Sequence, residues 1–175
     1  MKRLIKVLGY IVFTIMITIA LLPKVDLYYK LEQILKREHI ILSDEIPSDK
    51  ILFFNLKDIL LFYNDINVAK VYNTSLSPFI FYNRLTIENI KLDKTLKIFF
   101  PEKINKIVVT YSIVDPINVH ISSKGIFGEA IGTFNLKTKK LHIVLTPSAD
   151  MKRDHANTLS MMKSQNGQYI YDKAL

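Results

Sequence analysis

The chain has 175 residues, no cysteine and a formal charge of +8 at neutral pH. Without cysteine there are no disulfide staples, thiol nucleophiles or thiolate metal sites, so an apolar core must supply the stability. Lys2, Arg3 and Lys6 account for three of the positive charges, and the remaining excess of about +5 is spread along the chain instead of forming the arginine stripe that nucleic acid selects.

Leu4 to Leu22 is a nearly unbroken apolar run with one charge, at Lys6. Its length, at about 1.5 Å per helical residue, reaches roughly 28 Å, the thickness of a bilayer's hydrocarbon layer. Lys2 and Arg3 precede the run, Lys6 lies where its stem can snorkel, and no acidic residue occurs before Asp26. Positive charge is retained on the cytoplasmic side, so the reading is a cytoplasmic tip and anchor over 1–22 with the rest of the chain translocated. A cleaved signal peptide is the rival: Thr18-Ile19-Ala20 offers small residues, but two leucines follow Ala20 and Pro23 stops the helix where a span would end. Both readings export the remainder, which divides into a membrane-proximal segment over 23–38 and a β-rich domain over 39–175.

In the proximal segment, Leu27, Leu31, Ile34 and Leu35 share one face of a helix over Leu27 to Arg37, with Asp26 as its cap and Lys36 and Arg37 at its C-terminal dipole. From His39 the periodicity turns to alternation, predicting strands near His39 to Leu42, Ile51 to Phe62 (with a helical turn over Leu56 to Leu61 as the alternative there), Ile66 to Tyr72, Phe79 to Tyr82, Leu85 to Leu92 and Leu96 to Phe100. No glycine falls between Gly9 and Gly125, so turns are assigned to Asn64-Asp65, Asn73, Asn83, Asp93-Lys94, Pro101-Glu102 and Asp115-Pro116. Leu56-Lys57-Asp58-Ile59-Leu60-Leu61 echoes Ile87-Glu88-Asn89-Ile90-Lys91-Leu92, and in each the inward phase shifts at the polar pair, as at a β-bulge.

Ile107 to Val114 and Ile117 to Ser122 read as two further strands, the first covered on both faces or nearly so and the second half-buried. Gly125 and Gly128 then permit a tight turn, and Gly132 allows a close backbone or ligand approach within the next strand. After a turn at Asn135 to Lys140, Leu141, Ile143 and Leu145 close a hairpin. Strand, not helix, follows these glycines, so they do not form a phosphate loop. Pro147-Ser148 opens a predicted helix over Ala149 to Ser164, with Asn166-Gly167 as its stop and Met151, His155, Leu159 and Met162 as a packing stripe. Gln168 to Tyr171 is a last strand.

Catalytic chemistry finds little footing. His39, His120, His142 and His155 lack metal-ligand spacing, although His120 and His142 take the outward phase of neighbouring strands. The acidic residues Asp26, Glu32, Glu38, Asp44 and Glu45 read as a solvated face, and Ser75, Ser77 and Ser148 sit in turn or cap contexts. The reading is a non-enzymatic protein with no catalytic residue, cofactor or metal site.

The span, the segment PKVDLYYKLEQIL, the LKDILL strand and GEAIGTFNLKTKKLHIVLTPS resemble protein N of the type II secretion system and the broader AsmA-like periplasmic domains, with Ser75 to Phe79 as a weaker match. The resemblance implies a bitopic protein of a bacterial inner membrane with a periplasmic domain, accessory to a secretion, pilus or DNA-uptake machine. Two roles follow: docking to protein subunits through a strand edge or apolar helix, or lipid handling on an apolar sheet face, to be separated by whether a helix covers that face. Phospholipid is a possible ligand under the second role, nucleic acid is disfavoured, and the specific partner contacts are not assigned. The expected fold is α+β: an N-terminal transmembrane helix, a mostly antiparallel twisted sheet, a short membrane-proximal helix and one late packing helix.

Overall fold

The computed structural model describes residues 2–50, 53–79, 81–97 and 99–174. An N-terminal apolar helix precedes a large antiparallel sheet. Helix α1 (Lys2–Ala20) contains Lys2, Arg3 and Lys6, and its window from Arg3 to Ala20 is long and apolar enough to cross a membrane, with only 6% of it buried in the protein. Helix α2 (Lys24–Arg37) follows after a short break. It starts earlier than the apolar stripe predicts, with Pro23 before it, so Asp26 lies in its first turn and does not cap it.

Eleven strands form one sheet: β1 (Ile40–Ser43), β2 (Ile46–Asp49), β3 (Phe54–Tyr63), β4 (Ile66–Pro78), β5 (Tyr82–Leu92), β6 (Lys103–Ser112), β7 (Asp115–Gly125), β8 (Gly128–Asn135), β9 (Lys140–Pro147), β10 (Lys163–Gln165) and β11 (Gln168–Ala174). From β3 to β9 each strand pairs antiparallel with the next, a meander closed at one side by β1 and β2 on β3 and at the other by β11 and β10. Helices α3 (Ala149–Asp154) and α4 (Ala156–Ser160) lie between β9 and β10.

The phase shift at the echoed motif extends across four strands. Asp58 and Asn89 adopt left-handed φ of 55° in mid-strand. The ladder runs from Lys57–Asn73 to Ile59–Val71, from Asn73–Glu88 to Val71–Ile90, and from Glu88–Lys106 to Ile90–Ile104, passing over Asp58, Tyr72, Asn89 and Asn105 in one line. Each strand carries its extra residue at the same level, so pairing resumes without slipping. Phe54, Leu56 and Ile59 therefore reach the same core as Val71, Ala69 and Ile90, although strict alternation would send Ile59 to the opposite face.

Other elements differ from expectation. Leu96 to Phe100 is not a strand: Asp93 accepts from the Thr95 N–H and caps a single 3-10 turn over Lys94–Leu96, while residue 98 lies outside the described residues. Phe79 to Tyr82 is a connection, with the Phe79 N–H donating to the Tyr82 carbonyl and residue 80 not described; the expected strand start at Ile51 is likewise not described. Asn73 and Asn83 sit inside strands, and the β6–β7 turn falls at Ile113-Val114, ahead of Asp115-Pro116. The late helix breaks at His155, and Lys163–Gln165 leaves it to pair with β11 across Asn166-Gly167, whose φ values of 51° and 79° suit a primed hairpin turn.

Candidate functional site

Register gathers three largely apolar rows of the meander on one face, while Val108, Ile131, Val144 and Ile170 share a row of the other. Phe54, Leu76, Leu85, Val109, Ile121, Gly132, Ile143 and Tyr171 succeed one another across eight strands in a single row. On either side run Leu56, Thr74, Ile87, Ile107, Ser123, Ala130, Leu145 and Tyr169, and Asn83, Tyr111, Val119, Phe134 and Leu141. From β4 to β9 these rows carry no charged residue; on β11 the last of them ends at Lys173. The opposite face carries Ser77, Arg84, Thr110, His120, Thr133, His142 and Asp172 in one row, and cross-strand ion pairs Glu88–Lys106 at 2.8 Å and Lys124–Glu129 at 2.6 Å in another.

Among the described residues, helices cover the apolar face at its two sides. Near β3, Tyr28 of α2 packs on Phe54, ring centroids 5.6 Å apart, within a core of Leu56, Ile59, Ala69, Val71 and Ile90. Lys24 at the start of α2 is buried and pairs with Asp49 at 3.0 Å, and the Tyr28 hydroxyl donates to Glu45 at 2.9 Å. Burial, then this bond to a carboxylate, pushes the Tyr28 phenol well above its ordinary range. Near β9, Met151 of α3 and Leu159 of α4 bury with Leu145 against Phe127, Ala130, Met162 and Tyr169. Ser148 caps α3 by accepting from the Met151 N–H, and Thr158 donates to the Phe99 carbonyl, tying α4 to the connection before β6.

Between these covers lie Leu85, Val109, Tyr111, Val119, Ile121, Phe134, Leu141 and Ile143, which belong to neither core and are only half-buried. The sequence separates the docking and lipid roles by whether a late helix covers the sheet. That helix, shortened and broken, stays over β8, β9 and β11, and the middle of the face is left without a helix among the described residues.

The glycines shape this face. A Cβ on Gly132 would lie 2.9 Å from the His142 carbonyl oxygen and 3.1 Å from Ile143 Cγ1, so what approaches it closely is the β9 backbone. Gly128, at φ 111°, would drive a Cβ into the Thr146 carbonyl oxygen. Gly125 has no positive φ, but a Cβ there would meet the Phe127 ring at 2.8 Å and Ile104 Cα at 3.1 Å.

Among the described residues the histidines stay apart. His120 and His142 share the polar face with Thr133 between them, each held by its own carboxylate, Asp115 at 2.9 Å and Asp172 at 2.7 Å. No group of three or more His, Cys, Asp or Glu able to hold a metal occurs among the described residues. An open cleft of about 500 Å³ follows the shifted line on Tyr72, Asn73, Asn89, Lys91, Lys103 and Asn105, without a nucleophile beside a base. Sequence reading found the shift at Asp58 and Asn89 through the echo, but Tyr72 and Asn105 lie in motifs that do not repeat it; only register brings the four together.

Fold and face together define the class: a β-meander domain behind one apolar helix, with an apolar sheet face roofed at its sides. No family model, no curated protein and no solved structure matches the chain.

Proposed function

We propose that this is a non-enzymatic, membrane-anchored domain that holds the acyl chain of a lipid on the middle of its apolar face. The observation that carries the reading is the uncharged, half-buried surface from Leu85 to Ile143 between two helical covers. Acyl chains are the apolar ligand that an adjoining membrane supplies, and burying apolar surface contributes roughly 25 cal/mol per Å². With α1 as a span and Lys2, Arg3 and Lys6 on the cytoplasmic side, the sheet stands on the far side of a bacterial inner membrane, in the periplasm.

The test is photolabelling of the full-length protein in native membranes with a photoreactive fatty acid. Label on peptides of β6 to β9 is the expected result. Label confined to α1 contradicts the reading.

A second reading, an accessory subunit of a secretion, pilus or DNA-uptake machine, is favoured by one feature. β10 pairs with β11 only at Gln168, Tyr169 and Ile170, so Tyr171 to Ala174 offer an outer backbone edge that a partner strand could extend. Crosslinking from Lys173 in those membranes, with recovery of one defined envelope subunit, supports it.

A further inference from the structure

The hairpins of the meander turn with different chemistry at its two ends. At one end β3 passes to β4 through Asn64-Asp65, both left-handed and of the types that turns in water select, while β7 passes to β8 through Ile126-Phe127. Ile66, Phe99, Phe100 and Ile126 are exposed there too, but Asp65, Asp93, Glu129, Asp150 and Asp154 accompany them.

At the other end two successive tips are apolar and a third sets one leucine among lysines. β4 passes to β5 beside Phe81, β6 to β7 through Ile113-Val114, and β8 to β9 through Leu136 to Lys139. Val114 is 90% exposed and Phe81 54%, with Ile113, Ile117 and Leu136 exposed beside them. Tight turns do not select Ile-Val, and nothing among the described residues covers Val114. The third tip adds Lys137, Lys139 and Lys140, exposed and in no ion pair among the described residues.

The same end holds the exit of the anchor. Lys24, four residues beyond α1, is locked to Asp49, which pairs with Phe54 at the start of β3. Phe54 begins the row that passes through Leu76, Leu85 and Val109, and from that row β4, β5 and β6 run on to their apolar tips. Apolar tips, unpaired lysines and the end of an apolar helix thus share one end of the sheet.

We propose that this end rests in the interface of the bilayer that α1 spans, with Phe81, Ile113 and Val114 entering below the headgroups and Lys137, Lys139 and Lys140 meeting anionic lipid phosphates. Apolar side chains beside lysines are the combination that binds such a surface. The inference rests on α1 being a span; it does not depend on what the apolar face holds.

The absence of native cysteine makes single labels clean. The full chain is reconstituted in nanodiscs of phosphatidylglycerol and phosphatidylcholine, carrying an environment-sensitive dye on Phe13→Cys, Val114→Cys or Asn64→Cys, and quenched with neutral acrylamide. A protected Phe13 label establishes the span. The expected result is at least about fivefold weaker quenching at Val114 than at Asn64, with blue-shifted emission. Equal quenching at Val114 and Asn64 with Phe13 protected overturns the proposal. Replacing Lys137, Lys139 and Lys140 together by Gln is expected to raise quenching at Val114, and no change removes the lysines from the contact.

Discussion

Lys24 and Asp49 meet at 3.0 Å with the lysine side chain 2% exposed and the carboxylate 41% exposed, so the two ends of this ion pair stand in different surroundings. Removing a partner is costly when the charge left behind is buried, and cheap when water can replace the partner. Asp49→Ala is therefore expected to destabilise the domain by about 3 kcal/mol, and Lys24→Met, which keeps the buried stem and frees a hydrated carboxylate, by less than about 1 kcal/mol. Urea unfolding of the full chain in micelles measures both, and equal losses would contradict the asymmetry.

At the shifted line the usual strand preferences invert. Val favours strands, but a β-branched residue is poorly tolerated at left-handed φ. Asp58→Val and Asn89→Val are each expected to cost about 1 to 2 kcal/mol, while Asn89→Gly stays within about 0.5 kcal/mol of the parent. The same unfolding experiment reads all three, and a stabilising Asn89→Val would place that residue in ordinary extended backbone.

Much of this line was legible, because the Asp58 and Asn89 segments share a hydrophobic pattern whose phase breaks at the polar pair. The Asn64-Asp65 turn was legible for a similar reason: the residue types themselves tolerate the conformation required. Asn166-Gly167 misled, since the dipeptide serves both as a helix stop and as a hairpin turn, and the pairing of β10 with β11 decides between them. Leu96 to Phe100 alternated like a strand, but the Asp93 cap held its start in a 3-10 turn. For the apolar face, the strand composition was visible while the position of its covers was not, because that depends on where α3 and α4 break and dock.

Glycine substitutions test the close approaches on that face. Gly128→Ala combines a φ of 111° with a clash on the Thr146 carbonyl, Gly132→Ala meets the His142 carbonyl, and Gly9→Ala has nothing within 4 Å. The expected order of loss is Gly128 first, then Gly132 at about 1 to 3 kcal/mol, with no loss at Gly9. Protease resistance of the domain reports the first two, and a neutral Gly132→Ala would contradict the tight β8–β9 approach.

Glu102 accepts from Lys97 at 2.8 Å and also faces Lys91 at 3.4 Å, and the bond to Lys97 foremost holds its carboxyl below the ordinary range. A carboxyl lowered in the folded state stabilises it above the ordinary carboxylate pKa, and that contribution is lost as pH falls through the lowered folded value. Carboxyl-resolved NMR is expected to show Glu102 titrating below an ordinary glutamate, and Lys97→Gln should bring it back toward that range. A midpoint unchanged by Lys97→Gln would remove the bond as its cause.

The central claim, that the middle of the sheet face holds a lipid chain, is tested most directly by native mass spectrometry of the full-length protein extracted from its membranes. Retained phospholipid is expected on the parent and on Ser122→Asp, whose change lies on the opposite face, and its loss is expected on Ile121→Asp. A parent free of lipid, or an Ile121→Asp protein that retains it equally while remaining folded, would contradict the account.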